Sequence, residues 1–269
     1  MTISIKSFLI VSESCTKKLN LEKLTLIIVQ VLLYYEEMKG AYVMCGFVGC
    51  LTDVEKNTES NCKDKIKEMN DMIVHRGPDD EGYFEDKNIT MGFRRLSIID
   101  LEGGHQPLSY DNGRYWMTFN GEIYNYIELR QSLIEDGYEF KTDSDSEVIL
   151  GMYAKYKEKC LDYFRGMFGF VIWDKQEETL FCARDQFGIK PFYYAESGND
   201  FYYASESKAI YKVLEDKKFD KDALQDYMTF QFVPEPETLI KEIKTKVALD
   251  FLYNIRELEQ IGRVSVCAR

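Results

Sequence analysis

The chain has 269 residues, 45% hydrophobic and 14% aromatic, enough for one large or two ordinary domains with a real core and too apolar for a disordered polymer. Its 34 basic against 46 acidic residues give a net charge of −12, which excludes nucleic acid or an anionic membrane as the main partner. Seven scattered cysteines without a Cys-x-x-Cys pair suggest neither a disulfide framework nor a zinc site and point to a reducing cytosol, and two histidines leave little material for a histidine-based triad or metal centre.

Residues 1–43 differ in pattern from the rest of the chain. The apolar run at 24–35 (LTLIIVQVLLYY) is shorter than the roughly 20 residues a membrane-spanning helix needs, and charged residues flank it. The run is not succeeded by a small-residue cleavage pattern, so a buried or weakly amphipathic helix is expected. Lys39-Gly40-Ala41 can be encoded by a purine-rich ribosome-binding sequence just ahead of Met44. For a bacterial gene this makes 1–43 an extension upstream of the true start.

From Cys45 onward the pattern is mixed α and β. CGFVGCL reads as a strand, and 63–74 as an amphipathic helix with Ile66, Met69 and Ile73 on one face. His75 to Gly82 reads as a loop, followed by strands at 89–93, 96–99 and 115–119. Asn120-Gly121-Glu122 is expected to break the last of these and lead into a helix at 126–136, with another at 147–156. Two hairpins are predicted, 169–174 with 179–183 and 192–195 with 201–204, then a helix at 220–230 and a linker at Pro234-Glu235-Pro236. Strands grouped apart from helices argue for stacked layers rather than βαβ repeats.

The residues with most chemical content are Met44-Cys45-Gly46-Phe47-Val48-Gly49. Removal of Met44 as an initiator would give Cys45 a free α-amine, whose pKa of about 7.7–8.0 suits it as general base to its own thiol. Taken alone, the same residues also read as a buried strand with an inert cysteine.

That segment and seven others occur in one order: His75-Arg76-Gly77-Pro78-Asp79, Arg95-Leu96-Ser97-Ile98-Ile99-Asp100, Asn120-Gly121-Glu122-Ile123-Tyr124-Asn125, Ser144-Asp145-Ser146-Glu147-Val148-Ile149, Gly166-Met167-Phe168, Arg184-Asp185-Gln186-Phe187-Gly188-Ile189-Lys190-Pro191 and Ala204-Ser205-Glu206-Ser207-Lys208-Ala209. Over 44–241 the chain resembles the glutaminase domain of glutamine-hydrolysing asparagine synthetases, which are class II glutamine amidotransferases. The resemblance implies an α+β, four-layer αββα sandwich of the N-terminal-nucleophile hydrolase type. It also implies hydrolysis of L-glutamine to glutamate and ammonia, the ammonia passing to a synthetase domain or subunit for ATP-dependent amidation of aspartate. The readings kept beside it are a class II amidotransferase for another acceptor and a non-catalytic glutamine-binding module.

The residue types fit that chemistry. Cys45 is the nucleophile. Asn120 offers a side-chain NH2 and Gly121 a main-chain N–H, a donor pair for a tetrahedral oxyanion. On its own Asn-Gly reads as a hairpin turn; the resemblance assigns it to the oxyanion hole. A guanidinium fork matches the substrate α-carboxylate. Arg94 and Arg95 face opposite ways on a strand, and the resemblance selects Arg95. Glu122 and Asp145 would hold the substrate ammonium, although Asp145 also falls in a helix-capping cluster. Arg76 would pin the loop beside the nucleophile, or else form an ordinary surface ion pair. The 184–191 stretch reads as scaffold, and His75 and His105 receive no proton-transfer role.

Two departures from the family pattern stand out. Cys45 as written carries an amide instead of an amine, so the chain is expected to be a poor glutaminase unless Cys45 is exposed. The Ser-Gly-Gly-x-Asp-Ser loop that binds ATP in synthetase domains does not occur, and 242–269 reads as a divergent, truncated tail. The glutaminase reaction needs no cofactor or metal, and ATP and Mg2+ belong to the absent domain. No membrane partner is expected, and the resemblance leaves room for a homodimer.

Overall fold

Alternation along the first strand explains the architecture. In β1 (Gly46–Thr52), Phe47 and Leu51 point one way and Val48 and Cys50 the other, and every one of them is fully buried. A strand buried on both faces must lie inside a layered molecule. The computed structural model describes residues 44–52, 62–96, 105–246, 250–254 and 259–264. The extension at 1–43 and the expected strand residues 97–99 lie outside the described residues.

β1 is followed by α1 (Cys62–Met72), β2 (Asp80–Glu85), β3 (Ile89–Arg95), β4 (Leu108–Tyr110) and β5 (Tyr115–Ile123). Next come α2 (Tyr126–Glu135), α3 (Asp145–Tyr156), a 3-10 segment (Lys157–Tyr163), β6 (Gly166–Asp174) and β7 (Thr179–Arg184). The chain continues through β8 (Tyr193–Ser197), β9 (Asp200–Ala204), α4 (Ser207–Val213), α5 (Lys221–Phe230), β10 (Ile243–Thr245), β11 (Asp250–Asn254) and β12 (Glu259–Val264).

Among the described residues the strands form two six-stranded sheets, ordered β10-β8-β9-β1-β3-β2 and β12-β11-β7-β6-β5-β4, with every described pairing antiparallel. Between them lies one core, with Phe47, Leu51, Met91, Phe93, Phe201 and Tyr203 from the first sheet against Val171, Trp173, Leu180 and Cys182 from the second. The other faces of β5, β6 and β7 (Phe119, Phe170, Phe181) pack with Val148, Ile149 and Met152 of α3 in a second core. Helices α1 and α4 cover the outer face of the first sheet. The result is the expected α+β, four-layer αββα arrangement.

Three expectations are corrected. Asn120-Gly121-Glu122 does not break β5: it stays paired with β6, Gly121 opposite Phe168 and Ile123 opposite Gly166. The two backbones approach too closely there for side chains. A Cβ on Gly121 would lie 2.2 Å from the Met167 carbonyl oxygen, and one on Gly166 would lie 2.1 Å from that of Glu122.

Pro234-Glu235-Pro236 is no linker, because Glu235 pairs with Arg184 at 2.9 Å and the Pro236 carbonyl accepts from Thr245 N at 2.8 Å. The chain beyond it returns to the first sheet as β10, beside β8. The cysteines are not all separate: Cys50 and Cys62 form a disulfide, Cα–Cα 6.0 Å. Cys50 faces the helix side of β1, where α1 packs, and Cys62 opens that helix. Spacing alone could not show this, because the packing of α1 on β1 makes the contact. No described helix is long and apolar enough to cross a membrane.

Candidate active site

Cys45 sits immediately before β1, half-buried against the core between the sheets, with a free thiol. Its Sγ accepts from Leu96 N at 3.5 Å. Its carbonyl accepts from Arg76 Nε at 3.1 Å, so Arg76 is bonded to the candidate nucleophile's own backbone. Arg76 is 8% exposed, which removes the surface-ion-pair reading. Its Nη1 donates to Glu206 Oε1 at 2.9 Å.

Glu206 is the hub of a charged cluster. His75 Nε2 meets Oε1 at 2.9 Å and Lys208 Nζ meets Oε2 at 2.7 Å. Burial pushes the Glu206 carboxyl up, but Lys208 and Arg76 more than offset it and hold the group below its ordinary value. The residue before it, Ser205, exchanges two hydrogen bonds with Phe47: Phe47 N donates to Ser205 Oγ at 3.0 Å, and Ser205 N to the Phe47 carbonyl at 2.9 Å.

Alternation separates the two arginines. Arg94 lies on the α1 face of β3, its Nη2 paired with Asp71 and Glu81 at 2.8 Å each. Arg95 shares the side of Met91 and Phe93, which line the core between the sheets, and is buried. On β5, Phe119 packs toward α3, so Asn120 and Glu122 point toward the first sheet. Asn120 is 3% exposed, and its side-chain nitrogen is buried without a hydrogen-bond acceptor among the described residues. A buried donor left unpaired costs roughly 1–3 kcal/mol, so an arrangement that keeps one needs a reason.

Asp145 is the first residue of α3. The cap itself is Ser144, whose Oγ accepts from Glu147 N at 3.4 Å. Asp145 Oδ2 accepts from Ile123 N at 3.0 Å, which ties the helix start to the end of β5. Burial raises its carboxyl above the ordinary range, and the nearby Glu122 charge adds to the rise. Two carboxylates so placed favour a cation between them.

Lys190, read from sequence as scaffold, ends up beside the nucleophile. It is 3% exposed, and its Nζ lies 2.8 Å from Met44 Sδ. Burial lowers its ammonium below the ordinary value. Arg76 acts the same way, while Asp185, Cys45 and Glu122 oppose. The charges of Arg76, Cys45 and Glu122 are thus all felt at one buried ammonium.

The loop that places Lys190 is built by Asp185. Its carboxylate accepts from the backbone N–H of Phe168, Phe187, Ile189 and Lys190. Arg184 Nη2 donates to the Gly188 carbonyl. Sequence reasoning missed Lys190, Ser205 and Glu206; the available signal was charge and hydroxyl groups inside otherwise apolar, strand-flanking motifs. His105 pairs with Asp80 at the surface and stays outside this group.

Among the described residues, Cys50, Cys62 and Asp200 also lie together, their ligand atoms within 4.8 Å of one another. The two sulfurs are bonded to each other, and Asp200 accepts from Tyr202 Oη at 2.8 Å.

Comparison with known proteins places the chain in a family. The sequence pattern of the glutamine amidotransferase domain family matches residues 44–256. Asparagine synthetase [glutamine-hydrolyzing] 1 of Bacillus subtilis (strain 168) is 54% identical over 201 residues, 75% of this chain and 32% of that protein. Putative asparagine synthetase [glutamine-hydrolyzing] 2 of Methanocaldococcus jannaschii is 37% identical over 239 residues, 80% of this chain and 45% of that protein. The chain thus spans less than half the length of these relatives. In fold it is similar to glutamine phosphoribosylpyrophosphate amidotransferase from B. subtilis, with a TM-score of 0.59 at 17% identity over 83% of this chain and 50% of that one. The matched segment begins at Met44, directly before the half-buried thiol, and the chain belongs to the glutamine amidotransferase domain family.

Proposed function

We propose that the chain hydrolyses L-glutamine to glutamate and ammonia, as the glutaminase part of an asparagine synthetase-type enzyme. The Cys45 thiol attacks the side-chain amide carbon. The oxyanion that forms takes hydrogen bonds from Asn120 Nδ2 and Gly121 N–H, and each such donor lowers the barrier by about 2.7–4 kcal/mol. The Cys45 α-amine, once free, takes the thiol proton and passes it to the departing nitrogen, so ammonia leaves and a thioester remains. Water then attacks the thioester, the amine takes its proton, and glutamate is released. Arg95 receives the α-carboxylate, and Glu122 with Asp145 receives the α-ammonium. Arg76 fixes the backbone of the nucleophile.

The observation that carries this reading is Asn120, whose side-chain donor is buried without an acceptor on the strand face toward the first sheet. No metal or cofactor enters the glutaminase steps. The Ser-Gly-Gly-x-Asp-Ser loop suited to ATP does not occur in this sequence, so the residues present do not fit ATP and Mg2+. Amidation of aspartate is assigned to a separate synthetase domain or subunit.

The test is glutamate release from glutamine by the chain as written and by a chain that begins at Cys45. The second form is expected to be active and the first at most weakly so; Cys45→Ala abolishes activity in both. Full activity with residues 1–44 intact would overturn the role of the α-amine. One feature favours a non-catalytic glutamine-binding module: Cys45 follows Met44 through an amide bond. A diazo-ketone glutamine analogue separates the readings, because a binding module leaves Cys45 unalkylated.

A further inference from the structure

The glutaminase reading assigns no task to the buried carboxylate of Glu206. Glu206 stands 161 positions after Cys45 in sequence, yet a single arginine links them. The Arg76 guanidinium presents Nε to the Cys45 carbonyl at 3.1 Å and Nη1 to Glu206 Oε1 at 2.9 Å. A guanidinium is a rigid plane, so holding one edge aims the other. The aliphatic stem of Arg76 runs over Gly46, where a Cβ would lie 3.0 Å from Arg76 Cδ. Ser205, next to Glu206, binds Phe47 twice. The segment at 205–206 therefore grips the nucleophile strand at Phe47 directly and at Cys45 through Arg76.

We propose that Glu206 is a positioning residue for glutamine hydrolysis, acting through Arg76 to fix the Cys45 backbone and thereby the direction of its nitrogen and thiol. The proposal rests on the glutaminase reading. Glu206 touches no reacting atom. Its carboxylate stays ionised because Lys208 and Arg76 outweigh its burial, which suits a fixed anchor rather than a proton carrier. Lys208 Nζ meets the other carboxylate oxygen, Oε2, and helps keep the group charged, while His75 Nε2 shares Oε1 with Arg76.

The experiment compares Glu206→Gln, Arg76→Gln and the double variant in whichever form of the parent chain hydrolyses glutamine. Glu206→Gln is expected to lower kcat at least tenfold while the glutamine KM stays within twofold, and adding it to Arg76→Gln costs less than a further twofold. A kcat within twofold of the parent, or losses that multiply in the double variant, would overturn the proposal. Circular dichroism checks the fold.

Should Glu206→Gln not fold, Glu206→Asp decides, because it keeps the charge and draws the carboxylate back from Arg76 Nη1. A kcat lowered at least tenfold with the glutamine KM within twofold supports the proposal; a kcat within twofold of the parent sinks it. A parent inactive in every form would refute the glutaminase reading. The rate at which iodoacetamide alkylates Cys45 in the parent and in Glu206→Gln would still test the positioning, and equal rates would count against it.

Discussion

At the residue scale, Asn120 and Asp145 make opposite demands on the fold. Asn120→Ala removes one oxyanion donor and is expected to lower kcat by about 10²–10³-fold, measured by glutamate release. The change deletes a buried donor that has no acceptor among the described residues, so the melting temperature should hold or rise. Asp145 carries a carboxyl raised by burial and by Glu122. A carboxyl whose folded pKa is raised adds stability in acid, below its unfolded value near 3.8, and that stability is lost as pH rises through the folded value.

Ionising Asp145 thus costs more in the fold than in the unfolded chain, and a bound ammonium offsets that cost. Asp145→Asn, which can still accept from Ile123 N, is expected to raise the neutral-pH melting temperature and to raise the glutamine KM; thermal melts from pH 4 to 8 check the first and glutamate-release kinetics the second. Glu206 behaves in the reverse sense. Its lowered carboxyl adds stability above about pH 4.5 that disappears as pH falls through the folded value. Cys45, Arg95 and Asn120 were nominated from sequence because each sits in a motif whose residue types suit the proposed chemistry. Lys190 and Glu206 were not, since their positions become informative only when distant loops fold onto Cys45.

At the element scale, helices and hairpins were legible from periodicity, while β5 was misread and the start of β2 was read as loop. Asn-Gly has strong turn preference, but pairing with β6 outweighs local propensity when the partner backbone lies too close for a side chain. A second close approach tests the same principle away from the chemistry. Gly49 of β1 stands opposite Tyr203 of β9, and a Cβ there would fall 1.9 Å from the Tyr203 ring. Tyr203 is fully buried and cannot swing out. Gly49→Ala is expected to cost about 1–3 kcal/mol by overpacking, seen as a lower urea midpoint.

At the scale of the whole molecule, stacked layers were legible in the grouping of strands and the αββα order came from the family resemblance, whereas the Cys50–Cys62 bond was not legible, because it depends on where α1 lands. Reduction should lower stability by about 3 kcal/mol, the scale for closing a loop of about 15 residues, and denaturation with and without dithiothreitol checks it. The place of β1 has a further consequence. It is hydrogen-bonded on both sides, to β3 and β9, and Cys45 stands at its mouth. The proposed ammonium clamp lies instead at the last residues of β5 and the first turn of α3, where Glu122 is exposed. In deuterated water the two halves of the site would keep different clocks. Amides of β1 would exchange only when the whole molecule opens, while those around Ile123 and Asp145 would exchange through local fraying. A glutamine analogue would then slow the second clock and leave the first unchanged.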